Sequence, residues 1–252
     1  MPKKESRLFL RSLKEDGIEH VHVPAAPSLR VPVLSCEART GAKHSRSESE
    51  IAAPQKAGLA MTAPANAAIE TLRTKIEHCK LCEELARTRN KTVFGAGSIQ
   101  AQLVFVGEAP GADEDEQGLP FVGRAGQLLT KIIEAMGWTR DQVFICNVLK
   151  CRPPNNRPPA PEEVVHCRPY LKQQLSLIKP KVIVALGNHA VKALLQNEEG
   201  ISALRGKFQQ YEGIPVMCTY HPAYLLRSPG EKRKVWEDMK KVMKLLAEGS
   251  GE

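Results

Sequence analysis

Beyond about residue 100, short apolar runs alternate with longer amphipathic stretches. The apolar runs have the length of buried strands and cover Leu103–Val106, Val143–Val148, Val182–Leu186 and Ile214–Tyr220. Hydrophobic residues recur at helical spacing in the stretches that follow, over Ala125–Met136, Pro161–Ile178, Asn188–Leu195 and Glu231–Leu246. This order of strands and helices predicts an α/β domain with a mostly parallel sheet that helices cover on both faces.

The N-terminal part of the chain has a different composition. Residues 7–20 carry leucine and isoleucine at loosely helical intervals, which predicts a short helical segment within residues 1–23. Residues 24–64 are rich in Ala, Pro and Ser, so ordering them would bury little apolar surface. We therefore expect a disordered linker there and a compact domain over residues 65–248, which opens with Ile69, Leu72 and Ile76 at helical spacing.

Net charge and hydropathy indicate the kind of partner and the cellular location of the protein. The net charge of +8 is mild support for an anionic partner such as nucleic acid. No run approaches the roughly 18 apolar residues of a membrane span, and acids at Glu5, Glu15 and Asp16 do not suit a secretory signal. These features predict a cytoplasmic protein that does not enter the membrane, and we expect a monomer.

The stretch Gly107–Gly126 connects the first predicted strand to the first amphipathic helix and reads GEAPGADEDEQGLPFVGRAG. Its glycines and prolines predict a long loop with tight turns and a flat backbone surface. Four acids at 113–116 would repel a phosphate, and the Gly-Lys-Ser/Thr ending of a phosphate loop is missing. Phe121, after the rigid Pro120, is a candidate stacking face for a base, and a core position is the alternative interpretation.

The carboxyl ends of parallel strands meet at one edge of a sheet, where ligand sites of such folds lie. This edge is expected to gather Glu108, Phe121, Asn147, Gly187 and His221 into one cleft. His221 follows the last strand directly, and Pro222 fixes the backbone so that the imidazole can point into the cleft.

A projection follows His221 in the string HPAYLLRSP. Leu225, Leu226 and Arg227 combine apolar bulk with positive charge, as in the wedges that proteins insert into a base stack when they extrude a nucleotide. The alternative interpretation is the start of a helix that packs both leucines into the core.

Seven cysteines provide a second chemical signal. Cys146 and Cys218 lie in apolar strand patterns and are most simply core residues, and Cys36 falls in the linker. The other four, a C-x-x-C pair and two thiols that flank a Pro-rich loop, are Cys79, Cys82, Cys151 and Cys167. Four thiols complete a zinc site or an iron-sulfur site, and one close pair with two distant thiols favours a [4Fe-4S] cluster over zinc. His78 and His166 are alternative zinc ligands.

Three strings, GEAPGADEDEQGLPFVGRAGQLL, NVLKCRPPNNRPP and HPAYLLRSP, together with the four cysteines, resemble the family 4 uracil-DNA glycosylases, the iron-sulfur branch of that superfamily. The resemblance covers roughly residues 65–247. It implies a three-layer α/β/α sandwich around a four-stranded parallel sheet, with a [4Fe-4S] cluster. It also implies hydrolysis of the N-glycosidic bond of deoxyuridine in single- or double-stranded DNA, which releases uracil and leaves an abasic site for base excision repair.

The resemblance assigns roles at the base. Phe121 would stack on the flipped uracil, and Asn147 would read its edge, because an amide can pair with O4 and N3–H together. Glu108 would lie near C5 and exclude the methyl group of thymine, and Gly107 and Ala109 would border the base.

The resemblance also assigns catalytic and DNA-contacting roles. His221 would donate a hydrogen bond at O2, where negative charge accumulates as the base leaves. Ala109 stands where the better-known branch has a water-positioning Asp, so Glu114 or Asp115 would orient the water. The expected DNA contacts are the side chains of Leu225, Leu226, Arg227 and Arg152.

Two other functions fit part of the sequence. A non-catalytic nucleic-acid-binding protein with a four-cysteine zinc site would explain the charge and the thiols, but not the predicted cleft residues. A glycosylase of broader specificity, which also removes hypoxanthine or other deaminated bases, is the second alternative.

Overall fold

The computed structural model describes residues 62–196 and 198–248, and within them six strands form one sheet. The strands are β1 (Ala96–Gly97), β2 (Leu103–Gly107), β3 (Phe144–Asn147), β4 (Val182–Leu186), β5 (Phe208–Tyr211) and β6 (Ile214–Thr219). The first helices are α1 (Thr62–Glu77), α2 (Glu83–Thr88), α3 (Ala112–Gln117), α4 (Arg124–Ala135) and α5 (Pro161–Ile178). They are followed by α6 (Asn188–Leu195), α7 (Ile201–Leu204), α8 (Pro222–Arg227) and α9 (Lys232–Glu248), and short 3₁₀ turns cover Pro154–Asn156 and Pro229–Glu231.

The predicted N-terminal segment, residues 1–23, and nearly all of the predicted linker lie outside the described residues. The first described helix begins at Thr62, slightly before the predicted domain start at residue 65. None of the described helices is long and apolar enough to cross a membrane.

The sheet is mixed, with strand order β1-β3-β2-β4-β6-β5. Strand β2 runs parallel to β3 and β4, and β4 runs parallel to β6, whereas β1 and β5 pair antiparallel at the two edges. The expectation of a four-stranded parallel sheet is therefore corrected to a six-stranded mixed sheet.

The edge strands gave weak sequence signals. Strand β1 has two residues, and β5 is half exposed, so neither forms an apolar run. The Glu212–Gly213 pair between β5 and β6 was a possible turn signal in the sequence. In the structure φ is 48° at Glu212 and 83° at Gly213. Two consecutive positive φ values are typical of a tight hairpin turn.

Helices pack on both faces of the sheet because strand residues alternate between the faces. Leu103 and Phe105 of β2 belong to one apolar cluster, with residues of α4, α8 and α9. Val104 and Val106 belong to the other, with residues of α1, α5 and α6. The predicted α/β arrangement is confirmed, and Cys146 and Cys218 lie fully buried in β3 and β6 as expected.

The register of the central strands brings their carboxyl ends together. Gly107 pairs with Asn147, and the ladder continues past both strands through hydrogen bonds from Val148 N to Gly107 O (2.9 Å) and from Leu149 N to Glu108 O (3.0 Å). Strand β6 ends at Thr219, just before His221. Residues distant in sequence therefore meet at one edge.

Candidate active site

A cleft of ≈ 560 Å³ lies at this edge of the sheet. Seven residues predicted for the site line it, namely Glu108, Ala109, Glu114, Phe121, Asn147, His221 and Arg227. Gly107 lies underneath instead, where a Cβ would come within 2.3 Å of Asn147 Oδ1 and 2.6 Å of Phe121 Cζ. Glycine at 107 thus allows the amide and the aromatic ring to approach each other.

Asn147 supplies a buried amide with an unused acceptor. The residue is 2% exposed, and its Oδ1 has no hydrogen-bond partner. Its backbone carbonyl accepts a bond from the buried Lys150 ammonium at 2.7 Å, which also donates to Gln174 Oε1 at 2.6 Å. A buried unpaired acceptor is costly, so a ligand that donates to Oδ1 gains affinity by relieving that cost. Sequence reasoning did not identify the role of Lys150.

Phe121 occupies a constrained turn. Its φ is 53°, in the left-handed region that non-glycine residues rarely adopt. Arg140 holds the turn by donating to Pro120 O at 2.8 Å. The ring lines the cleft and is also 6% exposed within an apolar cluster, so the stacking and core interpretations both describe part of its environment. Its centroid lies 5.6 Å from that of the His221 ring.

Glu114 ties the same turn together. One carboxylate oxygen accepts bonds from Val122 N (3.0 Å) and Gly123 N (3.2 Å), and the other accepts from Gly111 N (3.1 Å). The predicted role of Glu114 in orienting water stays a prediction, and three backbone donors already use this carboxylate.

Asp115 was the alternative water-orienting residue, and its position argues against that role. The loop predicted around it contains helix α3, which turns Asp115 away from the cleft into a buried position. There the carboxylate accepts bonds from the backbone N–H and the side-chain amide of Asn90 and from Lys91 N. Asp115 therefore anchors the chain before β1.

Among the glycines around this turn, Gly126 is the one where an added methyl group should destabilise the fold most. A Cβ there would lie 1.9 Å from Phe121 O, although the residue is inside helix α4. We expect Gly126→Ala to cost about 3 kcal/mol and to displace Phe121, despite the better helix propensity of alanine. Thermal melting and single-turnover excision of uracil from DNA would measure both effects.

Gly123→Ala is the matched control for this prediction. Its Cβ would meet the end of the exposed Asp113 side chain, which can move away. A Gly126→Ala protein as stable and active as Gly123→Ala would show that the turn around Phe121 is not tightly constrained.

His221 caps helix α8 with its ring. Its Nδ1 accepts a hydrogen bond from Ala223 N at 3.1 Å, so in the neutral ring the proton sits on Nε2. Burial, together with the Arg227 charge, lowers the pKa of His221 to about 4. Gly187 permits the close packing, since a Cβ there would lie 2.9 Å from His221 Cβ. The site therefore contains a neutral imidazole with an N–H donor.

Glu108 is one of two carboxyl side chains that line the cleft. Burial raises its pKa, and the nearby His189 partly offsets the rise. Burial disfavours the charged form of a carboxyl, so this shift reflects the partly desolvated position of Glu108 at the cleft.

Helix α8 separates the three residues predicted to form a wedge. Leu225 is 0% exposed and packs in the core beneath β6, so its predicted DNA contact is wrong. Leu226 is 40% exposed, and Arg227 lines the cleft. Tyr224, which sequence reasoning missed, also lines it. A helical turn points successive side chains in different directions, so both leucines cannot project together.

The four predicted ligand cysteines lie close enough to influence one another. Burial raises the pKa of Cys82 to about 11, with further increases from Glu163 and from the Cys151 and Cys79 thiols. Burial likewise raises the pKa of Cys167 to about 12, and Cys151 and Cys82 are among the groups that act on it. Within residues 62–196 and 198–248, no three His, Cys, Asp or Glu side chains converge tightly enough for a single metal ion.

Arginines support the cysteine segments. Arg89 donates to Cys151 Sγ at 3.0 Å and to Cys79 O at 2.8 Å. Arg157 lines the cleft and pairs with Glu84 and Glu163, which bridges α2 and α5. Arg152 donates to Asn156 Oδ1 at 2.8 Å beside the cleft, and its predicted phosphate contact stays a prediction.

Together, the α/β fold and a cleft with an aromatic face, a buried amide and a neutral imidazole define a site suited to a planar ligand with hydrogen-bonding groups. The family model of the uracil DNA glycosylase superfamily matches residues 94–240. The chain belongs to this superfamily.

Individual relatives show which branches of the superfamily the chain resembles. The chain is 45% identical over 187 residues to a type-4 uracil-DNA glycosylase of Sulfurisphaera tokodaii, an alignment that covers 70% of this chain and 84% of the relative. It is 43% identical over 185 residues to the type-4 enzyme of Archaeoglobus fulgidus, covering 70% and 92%. A type-5 uracil-DNA glycosylase of Pyrobaculum aerophilum is 32% identical over 172 residues, covering 62% and 75%.

Proposed function

We propose that this protein excises uracil from DNA by flipping the nucleotide into the cleft and hydrolysing its N-glycosidic bond. The observation that carries the proposal is the buried, unpartnered Oδ1 of Asn147 in a cleft that Phe121 and His221 also line. The relatives named as uracil-DNA glycosylases support the same activity and its place in base excision repair.

Recognition of uracil follows from the donors and acceptors of Asn147. Its free Oδ1 accepts the N3–H of uracil, and the amide N–H₂ donates to O4. Cytosine has an acceptor at N3 and donors at N4, so it meets this amide with like groups facing each other. Phe121 stacks on the base, and Glu108 occupies the space where the methyl group of thymine would lie.

Cleavage separates charge, and His221 stabilises the negative part. As the bond between C1′ and N1 breaks, the electron pair stays on uracil, and O2 carries part of the negative charge. The Nε2–H of the neutral His221 ring donates to O2, and this bond strengthens as the charge develops. A water oxygen bonds to C1′, and its proton passes to solvent, from which the uracil anion regains one.

The activity test uses a labelled oligonucleotide with a single uracil. We expect alkali-sensitive scission at that site after incubation, and none when thymine or cytosine takes its place. Hypoxanthine at the same position decides between a uracil-selective and a broader enzyme. No scission in either single- or double-stranded form would overturn the proposal and favour a binding protein.

We further propose that Cys79, Cys82, Cys151 and Cys167 hold a [4Fe-4S] cluster. The four thiols lie close enough to raise one another's pKa, as seen for Cys82 and Cys167. Four cysteine thiolates are the usual ligand set of such a cluster, and the type-4 relatives support the assignment. When bound, the cluster would cross-link the α2, α5 and Cys151 segments. Its role would be structural, because hydrolysis of the glycosidic bond moves no electrons.

Cys167→Ser should remove the cluster. We expect iron to fall from about four atoms per chain to near zero and the melting temperature to drop by roughly 10 °C. Cys218→Ala, a buried thiol outside the set, should keep its iron. Stoichiometric zinc in the wild-type protein, or full iron in Cys167→Ser, would contradict the assignment.

The remaining expectations concern cellular location, oligomeric state and contacts with DNA. We propose a cytoplasmic monomer that acts on single- or double-stranded DNA, with Leu226, Arg227 and Arg152 in contact with the DNA. Size-exclusion chromatography with light scattering checks the monomer, and matched single- and double-stranded substrates check strand preference.

A further inference from the structure

A second concave surface, here called the basic groove, has a volume of ≈ 570 Å³ and lies outside the cleft. Five cations line it, namely Arg205, Lys207, Arg233, Lys234 and Lys241. Its two acids are largely compensated. Asp238 is buried and accepts bonds from Arg205 (2.7 Å) and Thr219 (2.7 Å), and Glu237 pairs with Lys240. Arg205 is paired with Asp238 and Lys234 with Glu231, so the positive charge that the groove presents to solvent comes from Lys207, Arg233 and Lys241.

Topology places this groove at the same edge of the sheet as the cleft. Strand β5 runs antiparallel to β6, so the residues just before β5 lie beside the carboxyl end of β6. Gly206 N donates to Cys218 O at 3.1 Å, which fixes that alignment. On the other side, Lys241 Nζ donates to Gly206 O at 2.7 Å and joins α9 to the same segment.

A continuous set of contacts leads from the cleft to the groove. Tyr224 lines the cleft, and its ring centroid lies 5.0 Å from that of Tyr220. The Arg205 guanidinium lies 5.5 Å from the Tyr220 ring and donates to Lys234 O at 2.9 Å. These contacts place the groove next to the Tyr224 side of the cleft.

We propose that the basic groove binds backbone phosphates of the DNA strand beside the flipped nucleotide. The inference rests on the proposed excision of uracil from DNA and extends it to a surface outside the cleft. Exposed lysine and arginine side chains at the groove would give affinity that is independent of base sequence and sensitive to salt.

The test is a double variant, Lys207→Gln with Arg233→Gln, which removes two exposed charges and leaves the Arg205–Asp238 pair in place. Binding to a uracil-free single-stranded 25-mer is measured by fluorescence anisotropy at several salt concentrations. We expect the slope of log affinity against log salt to become shallower by about 1.4, since each lost phosphate contact on a single strand contributes about 0.7.

The matched control is Lys181→Gln with Lys244→Gln, which removes the same charge at the opposite edge, where β4 begins and α9 approaches its end. Its slope should equal that of the wild type. The groove variant should bind free uracil as the wild type does, because free uracil carries no phosphate and would occupy only the cleft.

The rate of uracil excision, measured with enzyme in saturating excess over DNA, tests the proposed activity separately from phosphate binding at the groove. We expect the groove variant to excise uracil within about twofold of the wild-type rate, since contacts to backbone phosphates act on affinity rather than on the bond that breaks. An unchanged salt slope, or equal weakening of binding to free uracil and to the 25-mer, would overturn the groove as a phosphate site even when uracil excision is intact.

Discussion

Replacing His221 by asparagine should lower the single-turnover rate of uracil excision by about 100-fold to 1,000-fold, the usual effect of losing one donor at a developing negative charge. Asparagine can still accept the hydrogen bond from Ala223 N and cap helix α8, as the imidazole does at 3.1 Å. It cannot extend an N–H as far into the cleft. The melting temperature should therefore stay near that of the wild type while the rate falls.

His221→Ala provides the comparison, because it removes both the cap and the donor. It should match the asparagine variant in rate and lose about 1 kcal/mol more stability. An asparagine variant with near wild-type excision would show that the Nε2–H does not act on the leaving base.

The pH dependence of His221 follows from its lowered pKa of about 4. Above that pH the ring is neutral. The excision rate should therefore not fall near pH 6.5, the usual pKa of histidine, and the wild type and His221→Asn should show the same pH profile in that range. A lowered pKa also means that the contribution of this residue to stability is complete above about pH 6.5. That contribution is lost as pH falls through about 4. NMR titration of the labelled ring gives the pKa directly.

Asn147→Asp should have the second large effect, on base selectivity. A carboxylate only accepts hydrogen bonds, so it repels O4 of uracil and accepts from the N4 donors of cytosine. We expect uracil excision to fall by about 100-fold and the preference for uracil over cytosine to fall at least as much, since a good bidentate contact is worth about 1–3 kcal/mol.

The measurement compares single-turnover rates on oligonucleotides that differ only in carrying uracil or cytosine at one position. Asn156→Asp is a useful control, because this exposed residue also lines the cleft but interacts with Arg152 rather than with Asn147. Wild-type selectivity in Asn147→Asp would remove Asn147 from the recognition step.

The structure also indicates why Asn147 is held in place. The Lys150 ammonium, buried against Asn147 O and Gln174 Oε1, fixes the backbone from which the amide projects. Gln174 in turn donates to Phe94 O at 2.8 Å, which ties the arrangement to the chain before β1. Recognition of the base therefore depends on polar contacts beneath the cleft as well as inside it.

Local patterns in the sequence determined the order of the main strands and helices, because the period of apolar residues reports which side of an element is buried. Helices α5 and α6 and strand β4 begin and end where the periodicity predicted. The convergence of Glu108, Phe121, Asn147 and His221 followed from parallel topology, since carboxyl ends of parallel strands share an edge. The family resemblance, confirmed by the comparisons, was visible in three short strings.

Other features depend on contacts between residues far apart in the chain, which no local pattern encodes. The edge strands β1 and β5 exist through pairing with β3 and β6, not through apolar runs of their own. Leu225 is buried and Leu226 exposed because α8 presents one side to the core beneath β6. Only the tertiary structure assigned the Glu114 carboxylate to backbone donors on both sides of it, and only it placed the Lys150 ammonium under Asn147.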